Sequence, residues 1–439
     1  MNIFVHILSS RFFISMSYTH NRQELSKGIY FTSVVDKKFK SNVVSVKMVT
    51  KLNADTSVLN SLAISTIGSA NSKYNTIASF NKRLGELYGS TIGSDVSKLG
   101  DVQILSITSR FIDDRFAFDG ENISNSVVDM LLDCIFKPCV EGNSFNEELF
   151  NISKKELLDT IESEINNKRT YAIIQAKKTI YRNEPASILS YGDKEHTIKA
   201  TSKECYEAFI KLLNSCNIEI FYVGCNDKPN ILQKFKDAFA TLTNRTPEDF
   251  PTTAPSVIKS SVEEVSSEVE VNQCKMVLAL KTTYPDKYSN SIMNTILGLS
   301  PFSKLFSNVR EKLSLCYYCQ SSYDNLKKTI FIDSGIEVQN IEKSREAIMQ
   351  QISDLQNGNF TDLDVKNSIV YLTNALKTIG DTQYSYISWY FNNVLTNQER
   401  TIQSEYERYN NVTKDDIIAS AKALTLDTVF TLKPFGKEV

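Results

Sequence analysis

Peptide or ester hydrolysis near neutral pH most often calls on histidine, as general base or as metal ligand. The chain holds three: His6, His20 and His196. None neighbours another at ligand spacing, so each reads as a solitary surface imidazole, His196 within the polar stretch Gly192-Asp193-Lys194-Glu195-His196. A nucleophilic serine would also need one of them as base, and no Gly-x-Ser-x-Gly elbow is present. The eight cysteines are scattered, as expected of reduced thiols in a cytoplasmic protein. Cys316-Tyr317-Tyr318-Cys319 has redox-motif spacing, but its surroundings read as a strand, which puts residues three apart on opposite faces and argues against disulfide or zinc chemistry. Glu156, Asp159, Glu162 and Glu164 read as a solvated helix face pairing with Lys154, Lys155 and Lys168. Gly85, Gly89 and Gly93 lack the Lys-Ser or Lys-Thr of a phosphate loop and read as turns and close packing.

The wider composition narrows the function classes further. With 49 basic and 51 acidic residues among 439, the chain lacks the positive excess that tracks phosphates, so nucleic acid is not an expected partner. No uninterrupted apolar stretch approaches the roughly 20 residues of a membrane span, so no membrane partner is expected either. The start is a poor signal peptide, residues 1–22 read as a loose end, and Met16 is a second candidate start. At this length two or more domains are expected. The proline-bearing stretch 246–264 reads as a linker between an N-terminal domain, 1–245, and a C-terminal domain, 265–439.

The two halves repeat one pattern. Val44, Val46 and Met48 alternate with Ser45 and Lys47 as a half-buried strand, and a helix follows through Leu59, Leu62 and Ala63. Met276 to Leu280 is the corresponding strand of the second half, with a helix through Ile292, Ile296 and Leu299. A short basic-apolar helix turning into a strand comes next in each, Phe80 to Tyr88 and Phe306 to Leu313. Strands around Ile104 and Ile330, amphipathic helices and long helical segments (146–168 and 361–378) succeed them. Thr201 and Thr413, each with an acidic residue three on, cap a helix before a final strand. Two α+β domains of the same topology, each an antiparallel-rich sheet packed with helices, are expected.

The run from Ser303 through Arg310-Glu311-Lys312-Leu313-Ser314-Leu315-Cys316-Tyr317-Tyr318 resembles the second-domain signature of the insulinase and pitrilysin family of zinc metallopeptidases, which includes the mitochondrial processing peptidase. That signature, Arg-Glu-Lys-x-Gly-Leu-x-Tyr, is matched except that Ser314 stands at its glycine. The resemblance covers nearly the whole chain: the paired-domain order matches, and Ser72-Lys73-Tyr74-Asn75-Thr76 is similar to the segment after the family's zinc helix. The helix should carry His-x-x-Glu-His, two imidazoles for zinc and a glutamate base. Aligned from Lys73 and Tyr74, the motif falls on Ser61-Leu62-Ala63-Ile64-Ser65, and the family's later glutamate ligand falls near Asp159 and Thr160.

The resemblance therefore implies a chain with no zinc, no metal ligands and no catalytic residue of its own, inactive alone. It is similar to the zinc-less bacterial subunit branch labelled as associated with elongation factor P 5-aminopentanol modification, to which Gly192-Asp193 after Ser190-Tyr191 and the run Glu162 to Lys168 also fit. In active members the second-domain Arg and Tyr hold the substrate backbone and the oxyanion within a chamber between the domains. Those substrate-binding roles carry over to Arg310 and Tyr317, with Tyr318 the rival if the register slips by one. The expected function is the non-catalytic subunit of a heterodimeric processing peptidase whose partner subunit, of the same family, supplies zinc. The alternative is a structural or peptide-binding protein of the same fold without a role in hydrolysis.

Overall fold

Strands and helices alternate in the same order twice along the chain. The structure, a computed structural model, describes residues 18–435. The first half contains β1 (Tyr18–Ser26), β2 (Ile29–Asp36), β3 (Ser41–Lys51), α1 (Ala54–Ile67), α2 (Ile77–Glu86), β4 (Thr91–Leu99), β5 (Val102–Ile112) and α3 (Ile123–Phe136). A small hairpin, β6 (Val140–Glu141) with β7 (Ser144–Phe145), leads to α4 (Glu147–Ser163), α5 (Lys168–Ile180), α6 (Lys194–Lys199), α7 (Ser202–Ser215), β8 (Asn217–Gly224) and α8 (Pro229–Phe239). The second half contains β9 (Glu263–Val269), β10 (Cys274–Thr282), α9 (Lys287–Asn294), two π-helical segments (Thr295–Leu299 and Leu305–Lys312), β11 (Cys316–Asp324) and β12 (Thr329–Ile336). It closes with α10 (Ile341–Gln356), α11 (Asp362–Lys377), α12 (Gln383–Leu395), α13 (Ile402–Asn410), α14 (Lys414–Lys422) and β13 (Leu424–Pro434).

The sheets repeat as well. One is ordered β1-β2-β8-β3-β5-β4 and the other β9-β13-β10-β12-β11, so that β2, β8, β3, β5 and β4 match β9, β13, β10, β12 and β11 in place. Each has a single parallel pair, β2 with β8 and β9 with β13, and is otherwise antiparallel. The expected α+β duplication is the architecture observed. Residues 18–22, assigned from sequence to a loose end, instead form the first half of β1, paired with β2.

Two units emerge. Unit 1 is the chain up to Ile161, Ile188–Thr252 and Ile379–Glu399; unit 2 is Glu162–Ser187, Thr253–Thr378 and the chain from Arg400. The break at Thr252 and Thr253 lies in the irregular stretch read as a linker. That break separates the sheets but not all the helices that cover them. Helix α5, from the first half, belongs to unit 2, and α12, from the second half, belongs to unit 1.

Burial explains why those helices are needed. In unit 1, Val44, Val46, Met48, Leu105 and Ile107 face the main core with α1, α3 and α7, while Val43, Val49, Ile104, Phe221 and Val223 point to the opposite face. There they meet Tyr386, Ile387 and Phe391 of α12. In unit 2, Met276, Leu278, Ile330 and Ile332 face one core, and Val277, Ala279, Phe331, Phe430 and Leu432 pack on Ala172, Ala176 and Ile180 of α5. Sheets covered on both faces have central strands buried along their whole length, as β8 and β12 are. The half-buried reading of β3 is corrected accordingly. Ser45 is buried, and the Lys47 ammonium lies 3.2 Å from the Ser106 hydroxyl and 5.1 Å from the Phe391 ring centroid, its pKa lowered by burial.

Polar anchors accompany the apolar packing. Tyr386 of α12 donates its hydroxyl to Asp36 at 3.0 Å. In unit 2, Asp427 on β13 accepts from the Lys259 backbone N–H at 2.8 Å and the Thr428 hydroxyl at 2.7 Å, and pairs with the buried Lys281 ammonium at 3.1 Å. Burial alone would raise the Asp427 pKa; the hydrogen bonds and the lysine charge outweigh it and hold the carboxyl below its ordinary value.

Phe391 stands edge-on to Phe221 across the α12 contact, with centroids 6.2 Å apart. Phe391→Ala is expected to destabilise unit 1 by about 3–5 kcal/mol, measured by urea unfolding. A carboxyl whose folded pKa is depressed stabilises above its unfolded pKa, about 3.9, and loses that contribution as pH falls through the folded value. Asp427→Asn is therefore expected to cost about 3 kcal/mol at neutral pH by orphaning Lys281, and to flatten the decline of unit 2 stability below about pH 4.

Candidate functional site

The signature segment is built from an unusual helix, a left-handed residue and a bulged strand. Leu305–Lys312 is π-helical, and the Leu313 N–H bonds back to the Asn308 carbonyl at 3.0 Å. Leu305 and Val309 hold it in the core, which leaves Arg310 toward the surface. Ser314 ends the helix with φ of 51°, a left-handed conformation in which a Cβ is strained, and Leu315 N–H then reaches the Val309 carbonyl at 3.2 Å. A glycine at this point of the signature has a physical reason: the chain must reverse in the left-handed region before entering β11. Here the serine Oγ offsets part of the strain by donating to the Glu311 carbonyl at 3.3 Å.

β11 is an edge strand, and its pairing with β12 slips at its start. Cys316 opposes Ile336 and Tyr318 opposes Gly335, so Tyr317 is the extra residue of a bulge. Tyr317 is 57% exposed, and its hydroxyl donates to Glu337 Oε1 at 2.8 Å. The hydrogen bond to this carboxylate raises the phenol pKa above its ordinary value. Arg310 stacks its guanidinium 4.7 Å from the Phe306 ring centroid and touches Glu311 at 3.4 Å. The Cys316 thiol pKa is lowered, chiefly by Cys319 and further by the Arg310 charge.

Tyr318, the rival phenol, is packed instead. Its ring lies 4.3 Å from the Arg169 guanidinium and covers Gly335, where a Cβ would meet the ring at 2.5 Å. Arg169 in turn pairs with Asp333 at 2.6 Å. Burial raises the Tyr318 pKa, and the nearby Asp333 charge adds to the shift.

The bulge also corrects the reading of the cysteines. An ordinary strand would separate Cys316 and Cys319, but the inserted residue restores both to the same apolar core.

The segment aligned with the zinc motif lies within α1. Ser61, Leu62, Ala63 and Ile64 are buried there, and nearby Asn60 donates to Gln103 at 3.0 Å, whose own amide donates to the Ser57 and Ser190 carbonyls. Asp159 and Thr160 are exposed on α4, and the Thr160 hydroxyl bonds to the Glu156 carbonyl. Two serine hydroxyls and an isoleucine do not fit zinc. Among the described residues no group of three or more His, Cys, Asp or Glu is gathered as a metal site.

Other expectations resolve locally. His20 stacks on Tyr390 with centroids 3.8 Å apart, burial lowering its pKa with Arg22 adding to the shift. His196 Nδ1 lies 2.7 Å from Asp193, the cap of α6, and His6 lies outside the described residues. Lys154 donates to the Ile198 and Ala200 carbonyls rather than to carboxylates of its own helix. Gly89 is a positive-φ turn, but Gly85 and Gly93 have no neighbour a Cβ would meet. Sequence reasoning missed a groove of about 390 Å³ beside edge strand β4, lined by Ser45, Lys47, Ser106, Thr108 and Tyr384. Its one signal was Lys47 inside an apolar run.

Paired α+β units of one topology, with a bulged Arg/Tyr segment in the second, give the chain a peptidase-like architecture. The comparisons agree. Residues 199–369 match the family described as peptidase M16 inactive domain. Over 422 residues the chain is 25% identical to the probable inactive metalloprotease YmfF of Bacillus subtilis (strain 168), covering 95% of this chain and 99% of that protein. A conserved protein from Enterococcus faecalis V583 superposes with a TM-score of 0.88 at 26% identity, over 96% of this chain and 100% of that one. A peptidase M16 inactive domain from Pseudomonas fluorescens, 14% identical, shares the fold with a TM-score of 0.77, over 96% of this chain and 100% of that one. These comparisons support a likeness to the zinc-less branch of the insulinase-like M16 peptidases. Among the described residues no helix is long and apolar enough to cross a membrane.

Relief of the Ser314 strain gives a direct check on this geometry. Ser314→Gly is expected to stabilise unit 2 by about 0.5–1 kcal/mol, the left-handed strain relieved exceeding the extra freedom of the unfolded chain. Chemical denaturation with unchanged m-value measures it.

Proposed function

We propose that this chain is the non-catalytic subunit of a cytoplasmic heterodimeric processing peptidase, binding substrate peptide through Arg310 and Tyr317 while a partner of the same family carries the zinc. The observation that carries the reading is the head of β11. An edge strand, which offers unpaired backbone groups to an extended peptide, turns an exposed phenol outward by a bulge, and the π-helical segment before it carries Arg310, stacked on Phe306 and 3.4 Å from Glu311. The family's zinc positions in the same chain hold Ser61, Ile64 and Ser65. The hydrolytic step therefore falls to the partner.

The two side chains suit a supporting role. The guanidinium donates two parallel bonds to carbonyl or carboxylate oxygens. The phenol, its pKa raised, stays protonated at neutral pH and remains a donor when it exchanges Glu337 for a developing oxyanion. A scaffold reading rests on the same contacts, since stacking of Arg310 on Phe306 and the bond from Tyr317 to Glu337 also brace the segment.

The full-length chain, reconstituted with a zinc-bearing family partner, separates the two. Arg310→Ala and Tyr317→Phe are each expected to lower kcat/KM on a peptide substrate by about 10- to 100-fold, with Tyr317→Phe acting mainly on kcat. Unchanged activity in both variants, with the heterodimer intact by sedimentation, leaves the scaffold reading.

A further inference from the structure

The proposed binding segment also carries two cysteines whose placement it does not explain. Cys316-Tyr317-Tyr318-Cys319 opens β11, and a regular strand would point the first and last residues to opposite sides of the sheet. The register slip between Cys316 and Tyr318 cancels that separation. Both thiols enter one core cluster, two register positions apart on the same face of β11. Both are free, and β11 is the outer strand of its sheet. Cys316, 9% exposed against 4% for Cys319, is the more reachable of the two.

We propose that Cys316 and Cys319 are a reversible dithiol–disulfide pair, oxidised by exchange with a small organic disulfide. Cys316, the more exposed, is the attacking thiol: the neighbouring Cys319 and then the Arg310 charge lower its pKa, while Cys316 and burial push that of Cys319 up. The Cys316 thiolate attacks one sulfur of the external disulfide, forming a mixed disulfide and expelling one thiolate, which takes up a proton. Cys319 then gives up its proton and attacks the Cys316 sulfur, expelling the second thiolate, which is protonated in turn. Two cysteine thiols lose two electrons and two protons, and the external disulfide becomes two thiols. The ring so closed spans the Tyr317 bulge. A second consequence, which rests on the proposed peptide-binding role, is that oxidation removes the ionisable Cys316 thiol and fixes the backbone that presents Tyr317.

The test uses the native full-length chain and glutathione disulfide, followed by acid quench, alkylation in denaturant and peptide mass spectrometry. The expected result is loss of two of the eight thiols, with the two missing hydrogens on the peptide carrying Cys316 and Cys319, and full recovery with dithiothreitol. Cys319→Ser is expected to accumulate a glutathione adduct at Cys316, whereas Cys316→Ser takes up none at Cys319. Both thiols of the wild-type chain remaining alkylatable, or an adduct at Cys316 that is never resolved, overturns the proposal. These readouts need no partner subunit or substrate, so their failure leaves the peptide-binding reading standing, and loss of that reading leaves the dithiol pair intact.

Discussion

Each sheet of this protein is apolar on both faces, and an α+β layer of its own contiguous helices covers only one. Leaving the second face of unit 1 in water would expose Val43, Ile104, Phe221 and Val223 together, an apolar surface that folding strongly disfavours. The cover comes from a distant part of the chain: α12 for unit 1 and α5 for unit 2. Much of the rest follows from that requirement. It accounts for the central strands buried end to end, for Lys47 held among hydroxyls and a phenyl ring, and for the buried anchors Tyr386–Asp36 and Lys281–Asp427.

The same economy governs the segment at the head of β11. A π-helix widens the turn, Ser314 reverses the chain at positive φ, and one inserted residue shifts the strand register. Together they separate four neighbouring side chains into three environments. Cys316 and Cys319 go into the core, Tyr318 goes under Arg169, and Tyr317 goes to the surface. A single missing bulge would exchange these environments, because strand side chains alternate with a period of two. The left-handed serine also shows how a position favouring glycine tolerates another residue when its side chain hydrogen-bonds locally.

The place of a metal motif on α1 is filled by packing. Once imidazoles and a glutamate are absent, the helix is free to be buried nearly all round, and Ser61, Leu62, Ala63 and Ile64 are enclosed. The polar groups that remain, Asn60, Gln103 and the Ser57 and Ser190 carbonyls, satisfy one another. The helix is held by packing and by hydrogen bonds among its neighbours.

Much of this was legible in the sequence because local patterns carried it. The strands at β3 and at the apolar run of β10, the caps at Thr201 and Thr413 with their acidic partners, and the repeated order of elements all depend on neighbours within a few residues, and the structure has them where they were expected. The Arg-Glu-Lys signature and the absence of zinc ligands were equally plain, since residue identity alone decides them. Tertiary structure decided what lies across the sheet and across the chain: that Ser45 and Lys47 are covered, that α5 and α12 serve the sheets of the opposite halves, and that Tyr317 rather than Tyr318 is exposed. Periodicity reports which side a residue points to; it does not report what comes to cover that side, and a bulge of one residue changes the side without leaving a mark in composition.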